Sequence, residues 1–124
     1  MEIHDRVIGL LGGMAGIRDR RALASCYAQP QTAVFGVERF PTIFDKAGAY
    51  CFFIVRHHPF FDGNKRTGLV AALTFLKAHG FKPIFDENEM YNLIIRVVTG
   101  EGELEELTAV FRGACDLGQE DTVH

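Results

Sequence analysis

The sequence predicts an all-α bundle of about six helices carrying one small β-hairpin flap. Apolar residues recur at helical spacing in successive segments, and each segment is closed by glycine, proline or a polar break. One stretch, 31–41, departs from that rhythm with β-branched and aromatic residues on both sides of Gly36. The chain has 124 residues, of which 48% are hydrophobic, so one domain spanning 1–124 can build its own core.

The elements follow in order. Glu2 to Leu11 reads as a short, clipped helix with Ile3, Val7, Ile8 and Leu11 on one face. Gly12, Gly13 and Gly16 interrupt the pattern. Asp19 is placed to cap a second helix through about Ala28, with Leu23, Cys26 and Tyr27 inward and Pro30 ending it. Val34, Phe35, Val37 and Phe40 around Gly36 form the flap. Pro41-Thr42 opens a helix over 42–56 whose apolar residues (Ala47, Tyr50, Cys51, Ile54 and Val55, with Phe52 and Phe53 elsewhere) mark it as central. After a break at His58-Pro59, a helix runs from Asn64 to His79 with a stripe of Leu69, Val70, Leu73 and Leu76, stopped by Gly80. Two more cover 86–99 (Met90, Leu93, Ile94, Val97) and 103–116 (Leu104, Leu107, Val110, Phe111). Residues 117–124 are polar and read as a frayed tail.

Composition narrows the function. A formal charge of −3, from 13 basic and 16 acidic residues, argues against a broad nucleic-acid-binding surface but leaves room for one basic pocket. Cys26, Cys51 and Cys115 are odd in number, widely spaced and in apolar surroundings, which predicts buried free thiols in a reducing cytoplasm. The N-terminus shows no signal-peptide pattern, and Ala47 to Val55 is too short to span a bilayer, so a soluble, internal protein without a membrane partner is expected.

The chemistry concentrates in His57-His58-Pro59-Phe60-Phe61-Asp62-Gly63-Asn64-Lys65-Arg66-Thr67-Gly68, between the two most apolar helices. Polar groups there are costly unless they are used. Pro59 stiffens the entry, and Phe60 or Phe61 can anchor the loop in the core. Gly63 permits φ > 0 or close approach of backbone to a ligand. Asn64, Lys65 and Arg66 open the next helix, where backbone N–H groups and the dipole favour an anion. Two cations in a first turn oppose that dipole, and a bound phosphate chain would neutralise them. Asp62 supplies a hard oxygen suited to Mg²⁺ beside phosphates. His58 can take a proton near neutral pH. Together these groups describe phosphoryl or nucleotidyl transfer to a hydroxyl.

The string resembles the Fic/Doc signature, His-x-Phe-x-(Asp/Glu)-(Gly/Ala)-Asn-(Gly/Lys)-Arg, at every constrained position: His58, Phe60, Asp62, Gly63, Asn64, Lys65 and Arg66. The turn Gly16-Ile-Arg-Asp19, the stretch Ala28-Gln-Pro-Gln31, the 64–80 helix and Thr99-Gly-Glu101 are similar to the death-on-curing (Doc) branch, the toxins of toxin–antitoxin pairs. The resemblance implies a Fido domain with His58 as base, Asp62 holding Mg²⁺, and Gly63, Asn64, Lys65 and Arg66 binding the triphosphate of ATP. Arg56 stands where that branch also carries a basic residue, and the flap would align the target peptide. Lys65 replaces the usual glycine of AMP-transferring members and Leu69 their second arginine; the Doc branch shows both changes. Its known activity is kinase-like, moving the γ-phosphate of ATP to a threonine of elongation factor Tu and stopping translation. No self-inhibiting Ser/Thr-x-x-x-Glu-(Gly/Asn) motif is present, so a separate antitoxin with a disordered tail is implied as partner.

Other readings are weaker. His57, His58 and Asp62 lack the spacing of a zinc site. His4-Asp5 has no evident companion ligands for a metal phosphohydrolase. The loop is not a Walker A motif. The acidic run Glu101, Glu103, Glu105, Glu106 reads as charge bias at a helix start. Nucleotidyl transfer to a protein hydroxyl, and a non-enzymatic anion-binding module, remain the alternatives to the kinase.

Overall fold

The computed structural model describes residues 16–60 and 63–123, with side chains through 116. It contains helices α1 (Arg20–Ala28), α2 (Ile43–His57), α3 (Asn64–Ala78), α4 (Glu87–Thr99) and α5 (Leu104–Val123). A two-stranded antiparallel hairpin, β1 (Ala33–Val34) and β2 (Val37–Glu38), stands between α1 and α2. This is the all-α class with a β flap. The helix expected over Glu2 to Leu11 lies outside the described residues.

Local chemistry sets most boundaries. Asp19 Oδ1 accepts from the Ala22 N–H at 3.0 Å and caps α1. Pro30 does end the α-helix, but the chain first makes one 3₁₀ turn, Gln29–Gln31, in which Pro30 is buried. Thr42 and Asp45 form a reciprocal capping box at α2: Asp45 N–H donates to Thr42 Oγ1 at 3.0 Å, and Thr42 N–H to Asp45 Oδ2 at 3.1 Å. Asp86 caps α4, which ends at Gly100. In the hairpin, Phe35 (φ 51°) and Gly36 (φ 81°) form the two-residue turn, left-handed at both positions.

α2 is the centre. It packs most extensively against α3, then α5, and it also meets α1 and α4. Ala47, Gly48, Ala49, Tyr50, Cys51, Ile54 and Val55 are buried along it. One core cluster joins Ala47, Tyr50, Cys51, Ile54 and Val55 to Leu23, Phe60, Phe75, Leu76, Met90, Ile94, Leu107 and Phe111.

The face of α3 differs from the expected stripe. Thr67, Gly68, Ala71, Ala72, Phe75 and Leu76 are buried, whereas Leu69, Val70 and Leu73 are only half-buried. The reason is the closeness of α2. A Cβ built on Gly68 would lie 2.9 Å from Val55 Cγ2 and 3.1 Å from the Cys51 carbonyl oxygen. Small residues therefore make the seam, and the large ones are turned to its flank.

The last helix, α5, is assigned as far as Val123, into the stretch expected as a polar tail. No helix among the described residues is long and apolar enough to cross a membrane.

The three cysteines are buried and unpaired. Burial pushes the Cys26 and Cys51 thiols up to about 12 and Cys115 to about 11. Native protein at pH 8 should therefore be unreactive toward a thiol reagent over minutes and should release three equivalents on unfolding. Because the folded thiols titrate above an unfolded thiol, their contribution to stability is complete below pH 8.5–9, the ordinary range, and declines as pH rises through about 11.

Gly68→Ala separates packing from propensity. Alanine favours the helix by about 1 kcal/mol, but the methyl has nowhere to go and overpacking costs about 1–3 kcal/mol. A lowered urea midpoint at unchanged m-value is expected, and a raised midpoint would contradict the close seam.

Candidate functional site

The site is built where α2 stops. His58 leaves the helix in the left-handed region (φ 48°, ψ 56°), its N–H still donating to the Ile54 carbonyl at 3.1 Å. Pro59 is buried, and Phe60, 1% exposed, is seated in the core. Phe60 is thus the loop anchor. His58 is exposed. His57 is exposed too, its ring 5.8 Å from that of Phe53.

Two clamps hold the loop. On one side, residues 17–19 lie along it. Ile17 and Phe60 form an antiparallel bridge. The Arg18 and Asp19 N–H groups both donate to the Pro59 carbonyl, at 2.8 and 3.1 Å. Arg18 Nε donates to the His58 carbonyl at 2.8 Å; Nη2 donates to the same oxygen and to the His57 carbonyl at 3.3 Å. On the other side, Asn64 brackets Phe60. Its Oδ1 accepts from the Phe60 N–H at 3.1 Å, and its Nδ2 donates to the Phe60 carbonyl at 3.0 Å. The Asn64 amide is thereby committed to loop shape.

That turn is unlike the other helix starts. Gly63 precedes it in the left-handed conformation (φ 71°), and no side chain among the described residues caps it. Gly63 O accepts from the Thr67 N–H at 2.8 Å. Lys65 is half-buried and Arg66 exposed. Both line a groove of about 420 Å³ between α3 and the start of α4, floored by Leu69, Leu73, Phe85 and Ile94 and bordered by Tyr91. Glu87 and Asn88 also line it, so the groove carries both signs of charge and an amide alongside its apolar and aromatic residues. Of the expected phosphate residues, Lys65 and Arg66 line this groove, and Gly63 and Asn64 precede them at the start of α3. Arg56 is exposed near the end of α2, its guanidinium 5.6 Å from the Phe52 ring centroid. Asp62, the expected Mg²⁺ ligand, and Phe61 lie outside the described residues.

The hairpin is tethered at its base and bare at its tip. Lys46 Nζ pairs with Glu38 at 3.2 Å and also donates to the Phe40 carbonyl. Arg39 Nη1 donates to Gln29 Oε1 at 2.7 Å. At the tip, Phe35 is fully exposed, with Val34 and Val37 exposed beside it.

Sequence reasoning did not single out Arg18 or the groove residues Phe85 and Tyr91 as parts of a site. The signal for Arg18 was its place in Gly16-Ile-Arg-Asp19. The groove gave none, because its walls come from segments separated by a helix.

The chain matches the sequence model of the Fic/DOC family over residues 1–76. It is 36% identical over 110 residues to Toxin Doc of Mycolicibacterium smegmatis, covering 87% of this chain and 85% of that protein. It is 33% identical over 99 residues to Protein kinase doc of Escherichia phage P1, covering 80% of this chain and 77% of that one.

Asn64→Ala should strip the clamp from Phe60 and leave a backbone donor and acceptor without partners. A loss of about 1–3 kcal/mol in chemical denaturation is expected. Arg66→Ala, which removes an exposed cation from the same turn, should stay within about 0.5 kcal/mol of wild type.

Proposed function

The chain belongs to the Fic/DOC family, and from that premise we propose that it is the toxin of a toxin–antitoxin pair, transferring the γ-phosphate of ATP to a protein hydroxyl. The observation that carries this reading is the loop from His58 to Arg66, with an exposed imidazole at one end and two cations in an uncapped first helical turn at the other.

Each part has a role. His58 takes the proton from the target hydroxyl as its oxygen bonds to phosphorus and the bond to ADP breaks. Lys65, Arg66 and the first-turn backbone of α3 bind the phosphates and draw off developing charge. Arg56 adds positive charge near the entrance. The groove beyond Lys65 and Arg66 receives the nucleoside against Leu69, Phe85 and Tyr91. Asp62 would hold Mg²⁺, which when bound neutralises phosphate oxygens and orients them. The exposed edge of the hairpin, with Val34 and Val37, would align an extended target peptide by strand pairing.

Lys65 supports phosphate transfer over nucleotide transfer. It places a side chain and a charge where a glycine would leave bare backbone, and a shifted triphosphate follows. The name carried by the phage relative, Protein kinase doc, supports the same choice. By the same reading the target is a threonine of elongation factor Tu, the site of action is the cytoplasm and translation stops. Neutralisation falls to a cognate antitoxin that is partly disordered when free. Nucleotidyl transfer is the second reading, favoured by the nucleoside-sized groove, since the same base and cradle would serve attack at the α-phosphate.

Incubation of the protein with Mg·ATP and elongation factor Tu should transfer label from the γ position and none from the α position. The target should gain the mass of one phosphate. Gain of a whole nucleotide would move the assignment to the second reading. His58→Ala should lower transfer by about 10²–10⁴-fold and relieve growth arrest on expression. Arrest that persists in His58→Ala would leave only a non-enzymatic binding module.

A further inference from the structure

We infer that Arg18 is a positioning residue for His58, holding the base in its working orientation through the backbone of the loop. The inference rests on the reading of His58 as the base, and it adds a residue that the loop itself does not contain.

The carbonyls of His57, His58 and Pro59 are consecutive, and all three accept from residues 18–19. Arg18 supplies most of these donors. Its guanidinium reaches the His58 oxygen with both Nε and Nη2 and the His57 oxygen with Nη2, while its own N–H takes the Pro59 oxygen. A planar fork with fixed donor directions constrains rotation of a peptide in a way that a single donor does not.

The loop needs such a constraint. His58 is not glycine, yet it lies at φ 48°, ψ 56°, a left-handed conformation that is unfavourable for an L-residue. These dihedrals set the direction of its Cα–Cβ bond, and hence where the imidazole stands relative to Lys65 and Arg66. Hydrogen bonds from a charged donor to the carbonyl of that same residue work against its relaxation. The guanidinium also lies at the negative end of the α2 dipole, where a cation is favourable. Among the described residues no carboxylate pairs with Arg18, so its charge is committed to these carbonyls. Asn64 fixes the far side of Phe60 but makes no bond to His58; orientation of the base falls to Arg18.

The test compares Arg18→Gln and Arg18→Lys in the full chain. Arg18→Gln should lower kcat for phosphate transfer by about 10–100-fold while KM for ATP stays within about twofold. The His58 ring resonances, assigned against His58→Gln, should shift or broaden. Arg18→Lys, with the charge but without the fork, should recover part of kcat. A folded Arg18→Gln with wild-type His58 resonances and wild-type kcat would overturn the inference. So would a raised KM at unchanged kcat, which would make Arg18 a phosphate ligand. If Arg18→Gln does not fold, Arg18→Lys decides by the same readouts: partial loss of kcat with a displaced ring supports positioning, and full activity overturns it. If the wild-type protein transfers no phosphate, the assignment of His58 as base fails, and the ring resonances still decide whether Arg18 holds it in place.

Discussion

The seating of α3 against α2 at Gly68 is the constraint from which the site follows. The seam is close because Gly68 presents no side chain to Cys51 and Val55, and the buried Ala71 and Ala72 further along α3 are small. Two helices fixed this tightly also fix where the chain leaves α2 at His58 and enters α3 at Gly63. The exit of α2 and the entrance of α3 stand side by side, so an imidazole on the first and cations on the second share a neighbourhood. A seam of leucines would have set the axes further apart and with them the two halves of the chemistry. The same seating turns Leu69 and Leu73 outward to floor the groove.

A loop held at both ends still has polar backbone that must be satisfied beside a core. The chain solves this with partners from two directions. Residues 17–19 take the carbonyls of His57, His58 and Pro59, and Asn64 takes both polar groups of Phe60. Phe60 then adds an apolar anchor at 1% exposure. Removal of any one of these would leave the others in place with one degree of freedom restored. Orientation of the imidazole is therefore a property of the surroundings of the loop as much as of its own sequence.

The extent to which this was legible depended on the range of the interaction involved. The helix starts at Asp19, Thr42 and Asp86 were readable because a cap is a contact three residues long. The hairpin was readable from Gly36 and its β-branched neighbours. The core face of α3 was misread because hydrophobicity favours Leu69, Val70 and Leu73, while close helix packing favours the small residues beside them. Arg18 and His58 are 40 residues apart, and periodicity carries no information at that distance.

The start of α3 is the place where stability and chemistry pull apart. α1, α2 and α4 each begin with a side-chain cap, and α2, α4 and α5 carry acidic residues in the first turn. α3 begins with a left-handed glycine, no cap among the described residues, no acid and two cations. A missing cap forgoes about 1 kcal/mol, and each misplaced cation costs about 0.3–1 kcal/mol more. α1 also opens on two cations, Arg20 and Arg21, but behind the acidic cap Asp19, so the lack of such a cap is what sets the start of α3 apart from it. Nothing in the packing asks for this, since Arg66 is exposed and Lys65 only half-buried. An anion at that turn would supply the missing acceptor and reverse the sign of both charge terms at once. Among the described helix starts, this uncapped one is therefore where a phosphate chain would bring the greatest gain, and the loop that leads toward it is the one that Arg18 and Asn64 clamp.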